Sequence, residues 1–186
     1  MIRVTAVVAA RDEVDRIAGT VRSLLAIPEV TRVVVADDGS SDGTAVRAAG
    51  AGATVTRRSR PRGKGTALEA GVDVALSEGD VDAILFADAD LGESAAGLAP
   101  LLPPIADGSA DLTIAVFPPL EGGGFGVVKR SARGAIRALS GYRSVEPLSG
   151  QRVVSVGFLG DLRPFAGGFG VETGMTIDAV RAGLRI

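Results

Sequence analysis

The chain has 186 residues, 46% of them hydrophobic, enough to bury the core of one domain. Its 20 basic and 22 acidic residues leave a net charge of −2, so no overall field points to nucleic acid or an anionic membrane as partner. There is no cysteine and no histidine. That excludes disulfides, thiolate or imidazole metal sites, cysteine nucleophiles and histidine bases, so a metal site must use oxygen ligands and the expected general base is a carboxylate.

The first apolar run, residues 4–9, reads as a strand rather than a signal peptide, because the long apolar segment of a leader is missing. No apolar stretch approaches the roughly 20 residues of a membrane-spanning helix. Together these predict a soluble, cytoplasmic protein without a membrane span. Arg11-Asp12-Glu13 follows, then a helical pattern at Val14, Ile17, Val21, Leu24 and Leu25, stopped by Pro28. Residues 32–36 form a second β-branched run that ends in Asp37-Asp38-Gly39-Ser40. A helix over 44–49, a third strand over 53–56 and a helix over 65–77 come next. Ala83-Ile84-Leu85-Phe86-Ala87 is a buried strand closed by Asp88-Ala89-Asp90. Beyond it the pattern predicts a proline-interrupted helix over 94–105, a strand over 112–117, glycine-rich mobile loops at 122–126 and 167–170, and a last helix over 171–182. Strands alternating with helices predict an α/β domain spanning 1–186, with a mostly parallel central sheet and helices on both faces.

A buried strand that ends in two carboxylates one residue apart delivers Asp88 and Asp90 to the carboxyl edge of the sheet, where ligands bind in open α/β sheets. Hard oxygen ligands of this kind suit Mg²⁺ or Mn²⁺ bridging a diphosphate; the alternative is a strand end whose polar residues meet water. In Asp37-Asp38-Gly39-Ser40 one carboxylate could accept from a base N–H or a ribose hydroxyl while the other serves the turn or caps a helix. Arg57, Arg58, Arg60, Arg62 and Lys64 place five cations within eight residues, either as an anion seat at a helix N-terminus or as a solvated loop. It is not a P-loop, since Arg58 stands at the required upstream glycine and Gly65 where Ser or Thr would serve. Glu172, just after Gly167-Gly168-Phe169-Gly170, suits an acceptor hydroxyl or general-base role, or simply complements a helix dipole.

Taken in order, Val7 to Glu13, Asp37 to Thr44, Arg62-Gly63-Lys64-Gly65 and Asp88-Ala89-Asp90-Leu91 resemble the family-two nucleotide-sugar glycosyltransferases of the GT-A fold. The second half is similar to the glucosyl-3-phosphoglycerate synthase branch through Gly122-Gly123-Gly124, Pro147-Leu148-Ser149-Gly150 and Gly170 to Gly174. The resemblance implies transfer of a hexose from a UDP- or GDP-sugar to a hydroxyl or phosphate acceptor with Mg²⁺ or Mn²⁺. It implies donor contacts from Ala9, Ala10, Arg11, Glu13, Asp38, Gly39, Lys64, Asp88 and Ala89, metal ligation by Asp90 with Asp88, and a catalytic pair in Asp90 and Glu172. Glu172 would deprotonate the acceptor in an inverting mechanism or orient substrate in a retaining one. Gly124, Phe125, Ser149, Gly150 and Gln151 would shape the acceptor pocket, and dimers are common in the family.

Three departures stand out. Ala9 replaces the usual Pro. Phe125 stands where the phosphoglycerate branch has Arg, with Lys129 and Arg130 as a substitute anion site or a solvated helix face. Phe125 and Val127-Val128 point to a less charged or lipid-linked acceptor, or to packing within the core. The family also carries a metal-ligating His beyond its last helix, so the resemblance implies either a missing C-terminal tail or incomplete metal binding. Two other classes fit less well: a sugar-phosphate nucleotidyltransferase, which needs a glycine-rich loop after the first strand, and a non-catalytic nucleotide-sugar-binding module.

Overall fold

The structure, a computed structural model, describes residues 1–116, 126–167 and 170–186. One six-stranded sheet runs in the order β3-β2-β1-β4-β6-β5, built from β1 (Val4–Ala10), β2 (Val30–Asp37), β3 (Thr54–Arg57), β4 (Ala83–Asp88), β5 (Leu112–Ile114) and β6 (Arg152–Ser155). The first four are mutually parallel, while β6 lies antiparallel between β4 and β5. The predicted mostly parallel sheet is therefore present.

Both faces are covered, which is why the central strands read as unbroken apolar runs. Val4, Ala6, Val8 and Ala10 of β1, with Val33, Val35, Leu85 and Ala87, meet Ile17, Val21 and Leu24 of α1 (Ile17–Leu25) and Leu98 of a 3₁₀ segment, Gly92–Leu101. On the other face, Val7, Val34, Ile84 and Phe86 meet Leu68, Val72 and Ala75 of α3 (Lys64–Ser77) and Val171, Met175 and Ala179 of α7 (Val171–Arg181). The remaining described helices are α2 (Thr44–Gly50), α4 (Pro103–Ala106), α5 (Gly126–Ser140) and α6 (Leu159–Leu162).

Several expectations need correction. The helix predicted over 94–105 is the 3₁₀ segment followed by the single turn α4, because Pro100, Pro103 and Pro104 cannot donate the amides an α-helix needs. Of the strand predicted over 112–117, Leu112–Ile114 form β5 and the Ala115 amide donates to the Gln151 carbonyl at 2.9 Å, while Phe117 lies outside the described residues. Val127 and Val128 are 65% and 54% exposed on α5, so core packing does not account for them. The glycine loops at 122–126 and 167–170 lie largely outside the described residues.

The start of α3 is fixed by a close approach: a Cβ on Gly65 would overlap the Ala166 carbonyl and sit 3.2 Å from Val171 Cγ2. Helix propensity alone would favour alanine here. We expect Gly65→Ala instead to destabilise the chain by about 1–3 kcal/mol in urea unfolding, the range for overpacking; stabilisation would show that the 166–171 segment yields freely.

Candidate active site

The chain leaves β1, crosses outward through β2 and β3, and returns to β4 on the other side of β1. The carboxyl ends of β1 and β4 therefore flank a topological switch point, where open α/β sheets bind ligands. A cleft of about 390 Å³ opens there.

One wall is a pair of turns locked together by hydrogen bonds. The Asp12 amide donates to Ser40 Oγ at 2.9 Å, the Glu13 amide to Thr44 Oγ1 at 2.8 Å, and the Val14 amide to Asp42 Oδ2 at 3.1 Å. In return the Ser41 amide donates to Asp12 Oδ1 at 2.8 Å. Thus the Ser- and Asp-rich stretch after β2 mainly builds the frame that holds Arg11 and Glu13 at the cleft.

The two adjacent aspartates divide the work. Asp37 is buried, accepts from the Ser40 amide at 2.8 Å and pairs with Arg57 Nε at 3.1 Å. Neither aspartate caps α2, whose first turn is served by Asp42. Asp38 lines the cleft, and its carboxylate accepts from the Arg62 and Gly63 amides at 2.9 and 2.8 Å. Gly39 has φ +83, and a Cβ there would press within 3.2 Å of Arg60 and Pro61 backbone, so the basic loop folds directly over it. Of the five loop cations, only Lys64 reaches the cleft; Arg57 to Arg62 surround a separate surface depression.

Lys64 is the hub. Its Nζ lies 2.7 Å from Asp88 Oδ1 and 2.7 Å from Glu172 Oε1. Burial works against the ammonium, but the two carboxylate charges and their hydrogen bonds outweigh it and raise its pKa. Gln151 Nε2 donates to the second Asp88 oxygen at 2.6 Å. A Cβ on Gly150 would fall 2.7 Å from Asp88 Oδ1 and 2.8 Å from Lys64 Nζ, so the Ser149-Gly150-Gln151 turn closes directly on this pair. Glu172 sits in the first turn of α7 and also holds Lys64, so both roles foreseen for it, dipole partner and site carboxylate, are compatible.

Asp90 differs sharply from Asp88. Its side chain is 50% exposed, and its one ion contact among the described residues is Arg16 at 3.8 Å. The Asp88-to-Asp90 turn is pinned from behind by Thr20, which is fully buried. Thr20 Oγ1 donates to the Ala89 carbonyl at 2.8 Å and accepts from the Gly92 amide at 2.8 Å. Among the described residues no three carboxylates gather into a closed metal cage. This donor set fits Mg²⁺ or Mn²⁺, which bind through one or two carboxylates and take their other oxygens from substrate phosphates and water.

The cleft thus brings together Ala9, Ala10, Arg11, Glu13, Asp38, Lys64, Asp88, Ala89 and Asp90, all named above as donor or metal residues that the resemblance implies, and adds Gly63 and Ala67. Gly39 shapes the floor beneath the basic loop rather than lining the cleft. Ser149, Gly150 and Gln151 form one turn, but Gln151 braces Asp88. Gly124 and Phe125 lie outside the described residues. Lys129 pairs with Glu146 Oε2 at 2.6 Å. Thr20 and Arg152 escaped sequence reading, because a threonine inside an amphipathic helix and an arginine beside a short apolar run carry no motif.

Residues 5–156 match the sequence profile of Glycosyl transferase family 2. The glucosyl-3-phosphoglycerate synthase of Mycolicibacterium paratuberculosis is 33% identical over 94% of this chain and 59% of its own length. That of Mycobacterium tuberculosis is 34% identical over 80% of this chain and 51% of its own. The chain thus spans little more than half the length of these relatives. A crystal structure of the M. tuberculosis enzyme with phosphoglyceric acid superposes with a TM-score of 0.80 at 29% identity, covering 97% of this chain and 66% of that one. Another, holding Mn²⁺, uridine diphosphate and glucosyl-3-phosphoglycerate, gives a TM-score of 0.80 at 28% identity over the same shares. No helix among the described residues is long and apolar enough to cross a membrane. With its profile match covering most of the chain and its cleft at the carboxyl edge of a GT-A sheet, the chain belongs to glycosyl transferase family 2.

Proposed function

We propose that this chain transfers a glucosyl group from UDP-glucose to a hydroxyl of a small acceptor, with a divalent cation. The observation that carries this reading is the cluster at the cleft, where a half-exposed Asp90 stands beside an Asp88–Lys64–Glu172 chain of charges. The donor assignment is supported by the relative crystallised with Mn²⁺ and uridine diphosphate.

In this reading the backbone of Ala9 to Arg11, with Glu13 and Asp38, frames the nucleoside, and the locked turns keep that frame rigid. Asp90, with Asp88, would hold Mg²⁺ or Mn²⁺, which neutralises charge on the departing nucleoside diphosphate when bound. Lys64, already an ammonium, is placed to add its charge to the same leaving group. Glu172 enters from α7 on the far side of Lys64. Its Oε1 is held by Lys64, leaving its other oxygen to accept a hydrogen bond from an acceptor hydroxyl. Phosphoglycerate, carried by the relatives, is the first acceptor to test.

The experiment is calorimetric titration with UDP, GDP and their glucose conjugates, with and without Mn²⁺, followed by transfer assays from UDP-glucose to 3-phosphoglycerate. Micromolar, Mn²⁺-dependent UDP binding with transfer supports the reading in full. Binding without transfer to any hydroxyl acceptor, and without hydrolysis, would replace it with a nucleotide-sugar-binding module.

A further inference from the structure

Arg152 has no role in the chemistry above, yet it heads the fully buried side chains at 1% exposure. It opens β6 opposite Phe86 of β4 and Ile114 of β5. Its Nε donates to the Ser149 carbonyl at 2.7 Å and its Nη1 to Thr176 Oγ1 at 2.8 Å. Thr176 Oγ1 in turn donates to the Glu172 carbonyl at 2.9 Å. Nη2 is buried without a partner among the described residues. Burial pushes the guanidinium down to about 10, opposed by the charges of Glu172 and Tyr142, so it stays a cation at neutral pH.

An interior cation with no carboxylate in contact is costly, and a well-packed apolar side chain would serve the sheet better. What Arg152 does that no apolar residue can is bind two separate segments at once through a rigid fork. Each end of that fork lies beside a group at the cleft. Ser149 is two residues from Gln151, which holds Asp88, and Thr176 is one helical turn from Glu172, which holds Lys64. The charges match as well: Lys64 faces two carboxylates, and Arg152 supplies a second positive charge in the field of Glu172.

We propose that Arg152 is a positioning residue that clamps the Ser149–Gln151 turn to helix α7, holding Gln151 and Glu172 in place around the Asp88–Lys64 pair. Its catalytic consequence rests on the glycosyltransferase reading; the clamp itself does not.

The test uses Arg152→Lys, which keeps the charge but cannot span both acceptors, and Thr176→Val, which removes one acceptor and keeps the arginine should the first variant misfold. Hydrogen–deuterium exchange is expected to rise together in segments 149–151 and 172–176 and to stay unchanged in β2. Turnover should fall by up to about 10²-fold, the cost of a small misplacement at a reacting centre, with UDP affinity unchanged. Combined with Gln151→Ala, the losses should be markedly less than additive, as for residues acting through one arrangement. Exchange rising in one segment alone or in neither, UDP affinity falling in parallel with turnover, or fully additive losses would each overturn the clamp. If the wild-type chain transfers no glucose, the functional reading falls while the exchange experiment still decides the clamp.

Discussion

Asp90→Asn is expected to lower glucosyl transfer by roughly 10²–10³-fold, the range for removing one preorganised electrostatic group from a reacting centre. Mn²⁺-dependent strengthening of UDP binding should disappear with it, because an amide is a much poorer ligand for a hard cation. The thermal midpoint should hardly move. Asp90 is half exposed and touches Arg16 only at 3.8 Å, and exposed pairs of that kind contribute about 0–1 kcal/mol. The contrast with Asp88→Asn makes the result interpretable, since Asp88 is tied to both Lys64 and Gln151 and its loss should weaken fold and activity together. Differential scanning fluorimetry beside transfer kinetics reads both. Full turnover in a folded Asp90→Asn variant would remove the cation from the proposed mechanism.

Lys64→Met is expected to have the other large effect, again roughly 10²–10³-fold on transfer. Two things are lost together. The proposed diphosphate site loses a cation, and Asp88 and Glu172, each 2.7 Å from the same Nζ, lose the partner that ties them together. UDP affinity in the presence of Mn²⁺ should fall with turnover, since the cation beside the proposed diphosphate site and the brace on Asp88 are both gone. Calorimetry beside initial rates checks this. A folded variant with wild-type UDP affinity and turnover would remove Lys64 from the leaving group.

The sequence spoke clearly where chemistry is local. β1, β2 and β4 announce themselves as apolar runs buried on both faces, and each ends in polar residues that become the cleft wall. The Asp88-Ala89-Asp90 placement is legible for the same reason. What stays hidden is the choice of partner across long separations. Charge alone does not tell Lys64 apart from its four neighbouring arginines, and only the Arg62-Gly63-Lys64-Gly65 resemblance singles it out; its position follows from Asp38 holding the Arg62 and Gly63 amides and from Gly65 fitting against Ala166. Gln151 reads as a turn residue until it is seen to reach Asp88, 63 positions away in sequence. The four-residue strand β6 is too short for alternation to show, and its arginine argues locally for a surface it does not occupy. Asp38 makes a bond no local pattern shows: its carboxylate lines the cleft and also holds the Arg62 and Gly63 amides of the basic loop, 24 and 25 positions away.

The division of the sheet has an evolutionary consequence. Every residue lining the cleft falls between positions 9 and 90, on the parallel strands, the turns that follow them and the first turn of α3. Gln151, Arg152 and Glu172 come from the antiparallel addition and the last helix. Recombination anywhere between Gly92 and Leu112 would therefore inherit one lip of the site intact and exchange the other wholesale. Lys64, which meets Glu172, and Asp88, which meets Gln151, would be the site's side chains from the first half obliged to recognise new neighbours.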